Sequence, residues 1–142
     1  MPKRPLSAAS GVLVLADQAA FLAQIHHEAA LLRRRGLRLT VLQLQAEGRP
    51  ALHPLLMTQR LSDLGGWLRR HLRPTDTVVH WPNGQFGVLL PGCPPAQGSG
   101  VLHRLLSAPP GRYWPDDWAL DLALSGQVVD VPEPPPASNQ RA

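Results

Sequence analysis

The sequence has very little cysteine and no long uninterrupted apolar run. Cys93 is the only cysteine among 142 residues, which excludes an internal disulfide framework and a zinc site built from several cysteines. Because Cys93 lies between Gly92 and Pro94, we expect it to be a loop thiol without a chemical role. No apolar segment approaches the length that a membrane-spanning helix needs. These absences argue against a disulfide-stapled fold and against a helical membrane span.

Metal-binding and hydrolase motifs are also absent. The six histidines show neither a His-x-x-x-His spacing nor a pairing with cysteine, so we expect no metal site and no cofactor. Serine, histidine and aspartate all occur, but without a nucleophile-elbow pattern. Arg33 to Arg35 could contact RNA, yet no aromatic residues are interleaved with them and no nucleic-acid-binding motif is present. The sequence therefore predicts no nucleic-acid partner.

The composition is that of one globular domain. Hydrophobic residues make up 44% of the chain and charged residues 17%, which is typical of a folded protein with one core. The net charge of +4 comes mainly from arginine and favours an anionic partner such as a nucleotide. Met1 to Arg4 precede a short apolar run that passes directly into a helical pattern, so we expect no signal peptide and a cytoplasmic protein.

The first half of the chain predicts a short extended segment, a helix and a strand. Asp17 is a suitable N-cap, apolar residues recur at helical spacing from Phe21 to Leu32, and Gly36 follows three arginines at the predicted helix end. Residues 37–45 alternate as in a strand. We expect Leu39, Val41 and either Leu42 or Leu44 to be buried in that strand. Residues 46–53 are predicted to form a loop.

The second half predicts two helices, a hairpin and a final strand. Pro54 suits the first turn of a helix whose apolar stripe reaches Arg73. That stripe consists of Leu61, Leu64, Leu68 and Leu72. Residues 94–100 are predicted as a loop, 101–108 as a short helix and 118–131 as a strand or hairpin.

A β-hairpin is the most strongly predicted element. Residues 77–81 and 86–90 are apolar runs separated by Pro82-Asn83-Gly84-Gln85. Asn-Gly favours a type I′ turn because both central residues of that turn need positive φ. The order strand, helix, strand, hairpin, helix, strand indicates an α/β fold of the ferredoxin-like, palm-type βαββαβ kind, with a mainly antiparallel sheet and flanking helices. We expect a lead-in at 1–11, one domain at 12–131 and a Pro-rich disordered tail at 132–142.

One pair of motifs resembles a known family. Arg73-Pro74-Thr75-Asp76 precedes the hairpin turn at a spacing of five residues from Pro82-Asn83-Gly84-Gln85-Phe86. This arrangement resembles the GGDEF domain, the diguanylate cyclase fold, in which Arg-x-x-Asp precedes a GG(D/E)EF hairpin. The resemblance covers about residues 12–131 and is strong only at 73–92.

The resemblance implies a degenerate active site. The family's metal-binding carboxylates correspond to Gln43 and Gln45, and its hairpin carboxylate positions correspond to Gly84 and Gln85. The degenerate positions are Gln43, Pro82, Asn83, Gly84 and Gln85. Because Mg²⁺ requires hard, usually anionic oxygen ligands, we expect no cyclase activity and no enzyme. Gln85 is either a guanine contact or part of a solvated hairpin tip.

The same resemblance implies a ligand site. In the family, Arg-x-x-Asp binds cyclic di-GMP, and the helix after the hairpin contributes a second arginine to the same site. Counting residues without gaps from the end of the hairpin, Arg104 stands at the position of this second arginine. An arginine fork can donate to guanine O6 and N7, and an aspartate can accept from the guanine N1–H and amino group. We therefore expect cyclic di-GMP to bind at Arg73, Asp76 and Arg104.

Less specific interpretations remain open. Arg73 could cap a helix end while Asp76 forms a surface salt bridge of small energy. Arg69 and Arg70 either add positive field or form a solvated face. Three tryptophans could either stack on a guanine base or pack in the core and loops: Trp81, Trp114 and Trp118.

Two functions follow from these alternatives. The first is an inactive receptor for cyclic di-GMP that signals through a partner protein or through self-association as a ligand-bridged dimer. The alternative is a nucleotide-independent interaction or scaffold subunit of a bacterial secretion or exopolysaccharide assembly, which includes membrane-associated complexes. A receptor is stabilised by its ligand, whereas a scaffold is not.

Overall fold

The computed structural model describes residues 11–48, 53–107, 122–129 and 131. The described elements are β1 (Val12–Val14), α1 (Gln18–Arg34), β2 (Leu39–Gly48), α2 (Pro54–Arg70), β3 (Thr77–Trp81), β4 (Gln85–Pro91), α3 (Pro95–Leu106) and β5 (Leu122–Val129). The predicted α/β class is confirmed. The predicted tail at 132–142, most of the predicted lead-in, Trp114 and Trp118 lie outside the described residues.

The strands form one five-stranded mixed sheet in the order β1-β3-β4-β2-β5. The pairs β3–β4, β4–β2 and β2–β5 are antiparallel, and β1 joins the edge parallel to β3. The elements from β2 to β5 therefore form the ferredoxin-like βαββαβ unit, and β1 and α1 precede it in the chain. No helix of the described residues is long and apolar enough to cross a membrane.

Helix α1 begins and ends where local chemistry predicts. The side chain of Asp17 accepts a hydrogen bond from the backbone N–H of Ala20 at 2.9 Å, which satisfies one of the free N–H groups of the first turn. At the other end, Gly36 has φ of 71°, its N–H donates to the Arg33 carbonyl at 3.0 Å, and the Leu37 N–H donates to the Leu32 carbonyl at 2.9 Å. This pair of bonds is a Schellman motif, and it turns the chain from α1 into β2.

The two faces of the sheet are covered by different helices. Phe21 and Ile25 of α1 pack on one face, in a cluster with Val79 and Trp81. Helices α2 and α3 cover the other face, where Leu64 and Leu105 belong to the larger core cluster. Trp81 is only 3% exposed, and its ring stacks on Phe21 with centroids 4.4 Å apart. It is a core residue, so the packing interpretation of this tryptophan is the one that the structure supports.

Strand β2 is longer and more deeply buried than predicted. Leu42 and Leu44 are both buried, together with Val41, because β2 lies between β4 and β5 and is covered on both faces. The predicted loop beginning at Ala46 is wrong for residues 46–48. These residues pair with residues 122–124 of β5, and the Ala46 N–H donates to the Gly84 carbonyl at 2.8 Å. Because β5 pairs with residues 46–48, β2 extends past residue 45, where the alternation of apolar and polar residues in its sequence ends.

Helix α3 also begins earlier than predicted. The segment from Pro94 to Gly100 was expected to be a loop, but the helix begins at Pro95, which occupies its first turn. A Cβ at Gly98 would lie 2.4 Å from Cγ2 of Thr40, so only glycine allows α3 to lie this close to β2. The tertiary contact explains why a glycine-containing segment is helical here.

The hairpin is confirmed, and it defines two ends of the sheet. Asn83 and Gly84 have φ of 72° and 73°, as the predicted turn requires. We call the end that carries this turn the hairpin end. The opposite end carries the start of β2 at Leu39 and the end of β4 at Pro91, which pair with each other. Helix α2 ends at this opposite end at Arg70, three residues before Arg73, and Leu72 still packs against the core from the turn.

Candidate functional site

The Arg73–Asp76 segment is a closed turn between α2 and β3. The Asp76 N–H donates to the Arg73 carbonyl at 2.9 Å, and the Arg73 N–H donates to Asp76 Oδ2 at 2.8 Å. Pro74 within the turn cannot continue a helix, so α2 stops before it. These two reciprocal bonds set the position of the Asp76 carboxylate relative to the Arg73 backbone.

The side chains of the same two residues form an ion pair. Arg73 Nη2 lies 2.9 Å and Nε 3.2 Å from Asp76 Oδ1, and Nη2 also donates to the Pro91 carbonyl at 3.2 Å. The Asp76 side chain is 2% exposed, whereas that of Arg73 is 55% exposed. The hydrogen bond and the charge of Asp76 raise the pKa of Arg73, so its guanidinium remains charged. A buried anion thus holds a half-exposed cation in one orientation.

A second arginine clamps the turn from its other side. Arg69 donates from Nη1 to the Asp76 carbonyl and from Nη2 to the Arg73 carbonyl. Its aliphatic stem passes over Gly11, where a Cβ would lie 2.8 Å from Arg69 Cδ and where φ is 77°. From the sequence, Arg69 was expected either to add positive charge near the site or to lie on a solvated helix face. Neither interpretation describes this contact. Its guanidinium is a structural support for the backbone of the turn.

The turn forms one wall of a cavity of about 550 Å³. The cavity lies between the end of α2, the turn, the end of β4 and one side of α3. Arg73, Asp76 and Arg104, the three predicted ligand-binding residues, all line it. Arg104 also donates from Nη2 to the His71 carbonyl at 3.3 Å, which connects α3 to the end of α2. The structure therefore brings the three predicted residues together.

The described lining of the cavity carries more cationic than anionic side chains. Arg70 joins Arg73 and Arg104 in the lining, and Asp76, the one carboxylate among the described lining residues, is already paired with Arg73. Gln97 supplies an uncharged amide from the first turns of α3. Such a lining suits a ligand with negative charge and with groups that accept hydrogen bonds.

Cys93 lines the same cavity as a free, buried thiol. Burial raises the pKa of the Cys93 thiol, an effect that the nearby Arg73 partly opposes. Because a raised pKa keeps a thiol protonated, Cys93 acts here as a small apolar group.

The degenerate active-site positions lie at the hairpin end, away from this cavity. Gln85 Nε2 donates to Gln45 Oε1 at 2.8 Å, and Gln43 Nε2 donates to Gln85 Oε1 at 3.4 Å. Gln85 is half-buried in this amide chain, so it is not a fully solvated hairpin tip. A Cβ at Gly84 would lie 2.1 Å from the Ala46 carbonyl oxygen, so the turn packs directly onto β2. Pro82 and Asn83 are the exposed residues of the tip.

No protein-family model matches the chain, and no curated protein matches it either. Over the described ranges, no cluster of three or more metal-binding side chains of histidine, cysteine, aspartate or glutamate occurs. The resemblance to GGDEF domains therefore rests on the motif pair and remains a hypothesis.

Sequence reasoning missed part of this site. Arg69 donates to the backbone carbonyls of Arg73 and Asp76, beyond the end of α2 at Arg70, and no local sequence pattern signals this contact. Gln97 was not recognised because α3 was expected to begin at Val101. Arg70 was expected either to add positive charge near the site or to be solvated, and its place on the cavity wall agrees with the first interpretation.

Proposed function

We propose that the protein is a catalytically inactive GGDEF-like domain that binds cyclic di-GMP in the cavity formed by Arg73, Asp76 and Arg104, and that it signals through a partner protein. The observation that carries this proposal is the position of Arg104. Nothing in its local sequence requires it to approach the Arg73 turn, yet it lines the same cavity and bonds to the end of α2.

Arg73 is the proposed guanine-binding group. Asp76 engages Nε and Nη2, and Nη1 takes part in none of these bonds. The Nη1–Nη2 edge can therefore donate to guanine O6 and N7 if Nη2 gives up the longer bond to the Pro91 carbonyl. Because the guanidinium is already oriented, less side-chain entropy is lost on binding.

Asp76 and Arg104 have complementary proposed roles. Asp76 orients Arg73. If the Asp76 carboxylate also accepted a hydrogen bond from the guanine N1–H, it would do so through an oxygen that already accepts one from Arg73. Arg104, with Arg70 beside it, balances the phosphate charge of the ligand. Loss of one such charge-assisted contact lowers affinity by about tenfold or more.

Absence of cyclase activity is part of the proposal. Gln43 and Gln85 present neutral amides at the positions of the family's carboxylates, and each already bonds to another glutamine. Neutral amides hold Mg²⁺ against triphosphates poorly compared with carboxylates. We expect no Mg²⁺-dependent turnover of GTP.

A scaffold function that needs no nucleotide is the second candidate. It is favoured by the closed bonding of the turn, because Arg69 and Arg73 satisfy Asp76 and its backbone without any ligand. In that case Arg-x-x-Asp is a structural link between α2 and β3 in a subunit of a larger bacterial assembly.

Calorimetric titration of cyclic di-GMP distinguishes the two candidates. We expect binding to the wild-type protein, and binding weakened by about tenfold or more in Arg104→Ala, which removes an exposed side chain without uncovering a buried charge. Arg34→Ala is the matched control, since it removes the same charge from an exposed position in the last turn of α1.

The outcomes separate clearly. Retained binding in Arg34→Ala and lost binding in Arg104→Ala support the receptor. No binding to the folded wild-type protein, or equal binding to both variants, rejects the proposed site and leaves the scaffold function. GTP with Mg²⁺ serves as the nucleotide control and should neither bind at this cavity nor turn over.

A further inference from the structure

Arginines concentrate at the end of the sheet opposite the hairpin turn. Helices α1 and α2 both finish there, and β2 begins there. The chain topology therefore gathers two groups of arginines at one end. The arginines that it places there are Arg33, Arg34, Arg35, Arg38, Arg69, Arg70 and Arg73. The carbonyl ends of two helices at the same place add a negative dipole potential that these cations offset.

No ion pair joins a described acidic side chain to Arg33, Arg34 or Arg35. Asp17 and Glu47 lie at the hairpin end, where α1 begins and β2 finishes. Glu28 and Asp63 lie within helices and bond to neighbouring glutamines. Asp76, at the arginine-rich end, is buried and paired with Arg73. The described part of the chain is thus electrically polarised along the sheet.

Two exposed leucines lie within the same surface as the α1 arginines. Leu31 is 43% exposed and Leu37 is 41% exposed, and both flank Arg33, Arg34 and Arg35 in sequence. The Schellman motif keeps Leu37 beside the end of α1. Both leucines are partly exposed beside the arginines, so this surface offers apolar as well as basic side chains to a partner.

We propose that the surface formed by Leu31, Arg33, Arg34, Arg35, Leu37 and Arg38, here called the α1 basic surface, binds an anionic phospholipid membrane. Clustered arginines are attracted to acidic headgroups, and neighbouring apolar side chains enter the boundary between headgroups and acyl chains. Single-stranded nucleic acid is the less suitable polyanion, because the surface contains no aromatic side chain on which bases could stack.

The α1 basic surface adjoins the cavity of the candidate site. The Gly92 N–H donates to the Arg38 carbonyl at 2.7 Å, while Arg73 donates to the neighbouring Pro91 carbonyl. Membrane attachment through this surface would place the cavity at the level of the headgroups. The inference does not depend on cyclic di-GMP binding, since its residues are different and its test contains no nucleotide.

Sedimentation of the full chain with lipid vesicles tests the proposal. The wild-type protein should sediment with vesicles that contain phosphatidylglycerol and remain in solution with vesicles of phosphatidylcholine alone. The triple variant R33Q/R34Q/R35Q should partition on the order of 100-fold more weakly, since each cation contributes about fivefold near an anionic membrane. Rising salt should weaken the wild-type interaction.

Matched variants identify the chemistry. R33K/R34K/R35K keeps the charge and should bind like the wild-type protein, whereas Leu31→Ser with Leu37→Ser should lose the part of the binding that persists at high salt. Arg60→Gln removes one charge from the middle of α2 and should leave partitioning close to that of the wild-type protein. Thermal melting of each variant shows that it is folded.

The proposal is overturned if the wild-type protein does not sediment with phosphatidylglycerol vesicles, or if the triple glutamine variant sediments with them as strongly as the wild-type protein. It is also overturned, in favour of nucleic acid, if single-stranded RNA binds through the same arginines and the vesicles do not. Equal binding of the double serine variant at all salt concentrations would reject the apolar contact.

Discussion

The carboxylate of Asp76 accepts hydrogen bonds from both the backbone N–H and the guanidinium of Arg73, at 2.8 Å and 2.9 Å. Asp76 is buried and Arg73 is half-exposed, so the pair joins the protein interior to the surface of the cavity. The buried carboxylate depends on Arg73 for compensation of its charge. Arg73 depends on the carboxylate for its orientation. The stability of the fold and the orientation of a side chain in the cavity wall are therefore coupled in these two residues.

Replacement of Arg73 should destabilise the fold. Arg73→Ala leaves the Asp76 carboxylate buried without its cation, and we expect a loss of about 2 kcal/mol, reduced from the larger cost of a fully buried pair because Arg73 is half-exposed. Urea unfolding measures this loss. Arg34→Ala, which removes an exposed arginine from α1, should change stability by less than about 0.5 kcal/mol. Equal effects of the two variants would contradict the importance of the ion pair.

Two glycines of α3 should respond to alanine in opposite directions. At Gly98 a Cβ would lie 2.4 Å from Thr40 Cγ2, and at Gly100 it would meet nothing within 4 Å. Gly98→Ala should therefore cost about 2 kcal/mol through overpacking against β2. Gly100→Ala should stabilise the protein by up to about 1 kcal/mol, because alanine favours a helix. Thermal unfolding of both variants checks the sign, and a stabilised Gly98→Ala would show that α3 is not packed as described.

Two glycines at positive φ should also differ. Gly36 and Gly84 have φ of 71° and 73°, but only at Gly84 would a Cβ collide with backbone, 2.1 Å from the Ala46 carbonyl oxygen. Gly36→Ala should cost about 1 kcal/mol through its left-handed conformation alone. Gly84→Ala should cost clearly more, and about 3 kcal/mol is expected when overpacking is added. Denaturant titration compares the two, and equal losses would mean that the hairpin turn does not rest on β2.

Stability should fall in acid through His80. Burial lowers the pKa of His80 from its ordinary value of 6.5, although the bond between its ring and the Gln85 carbonyl opposes this. At a given pH, His80 therefore binds a proton more readily in the unfolded chain than in the folded chain. The free energy of unfolding is not reduced by this effect above pH 6.5, and it declines as the pH falls towards the lowered pKa.

His80→Phe should remove that part of the pH dependence while keeping a ring that can stack on Phe86. Unfolding free energies measured from neutral to mildly acidic pH provide the comparison. His103→Phe, at an exposed position of α3, is the control for loss of an imidazole. An unchanged acid slope in His80→Phe would contradict the prediction.

Local chemistry explains the elements that the sequence predicted well. The cap at Asp17, the Schellman end at Gly36 and the Asn83-Gly84 turn each depend on residues close in sequence, and each is confirmed. The elements that were predicted wrongly depend on distant partners. Residues 46–48 extend β2 because β5 pairs with them, and residues 95–100 are helical because Gly98 fits against Thr40.

The candidate site likewise has features that the sequence predicts and features that depend on tertiary packing. The sequence by itself determined the spacing of Arg73 and Asp76 and the neutral amides at Gln43 and Gln85, since these are properties of residue type and order. Only the tertiary structure decided that Arg104 lines their cavity, that Arg69 supports the turn, and that Asp76 is buried while Arg73 is exposed. Side-chain burial and long-range proximity arise from the packing of helices on the sheet, and no local pattern of residues encodes them.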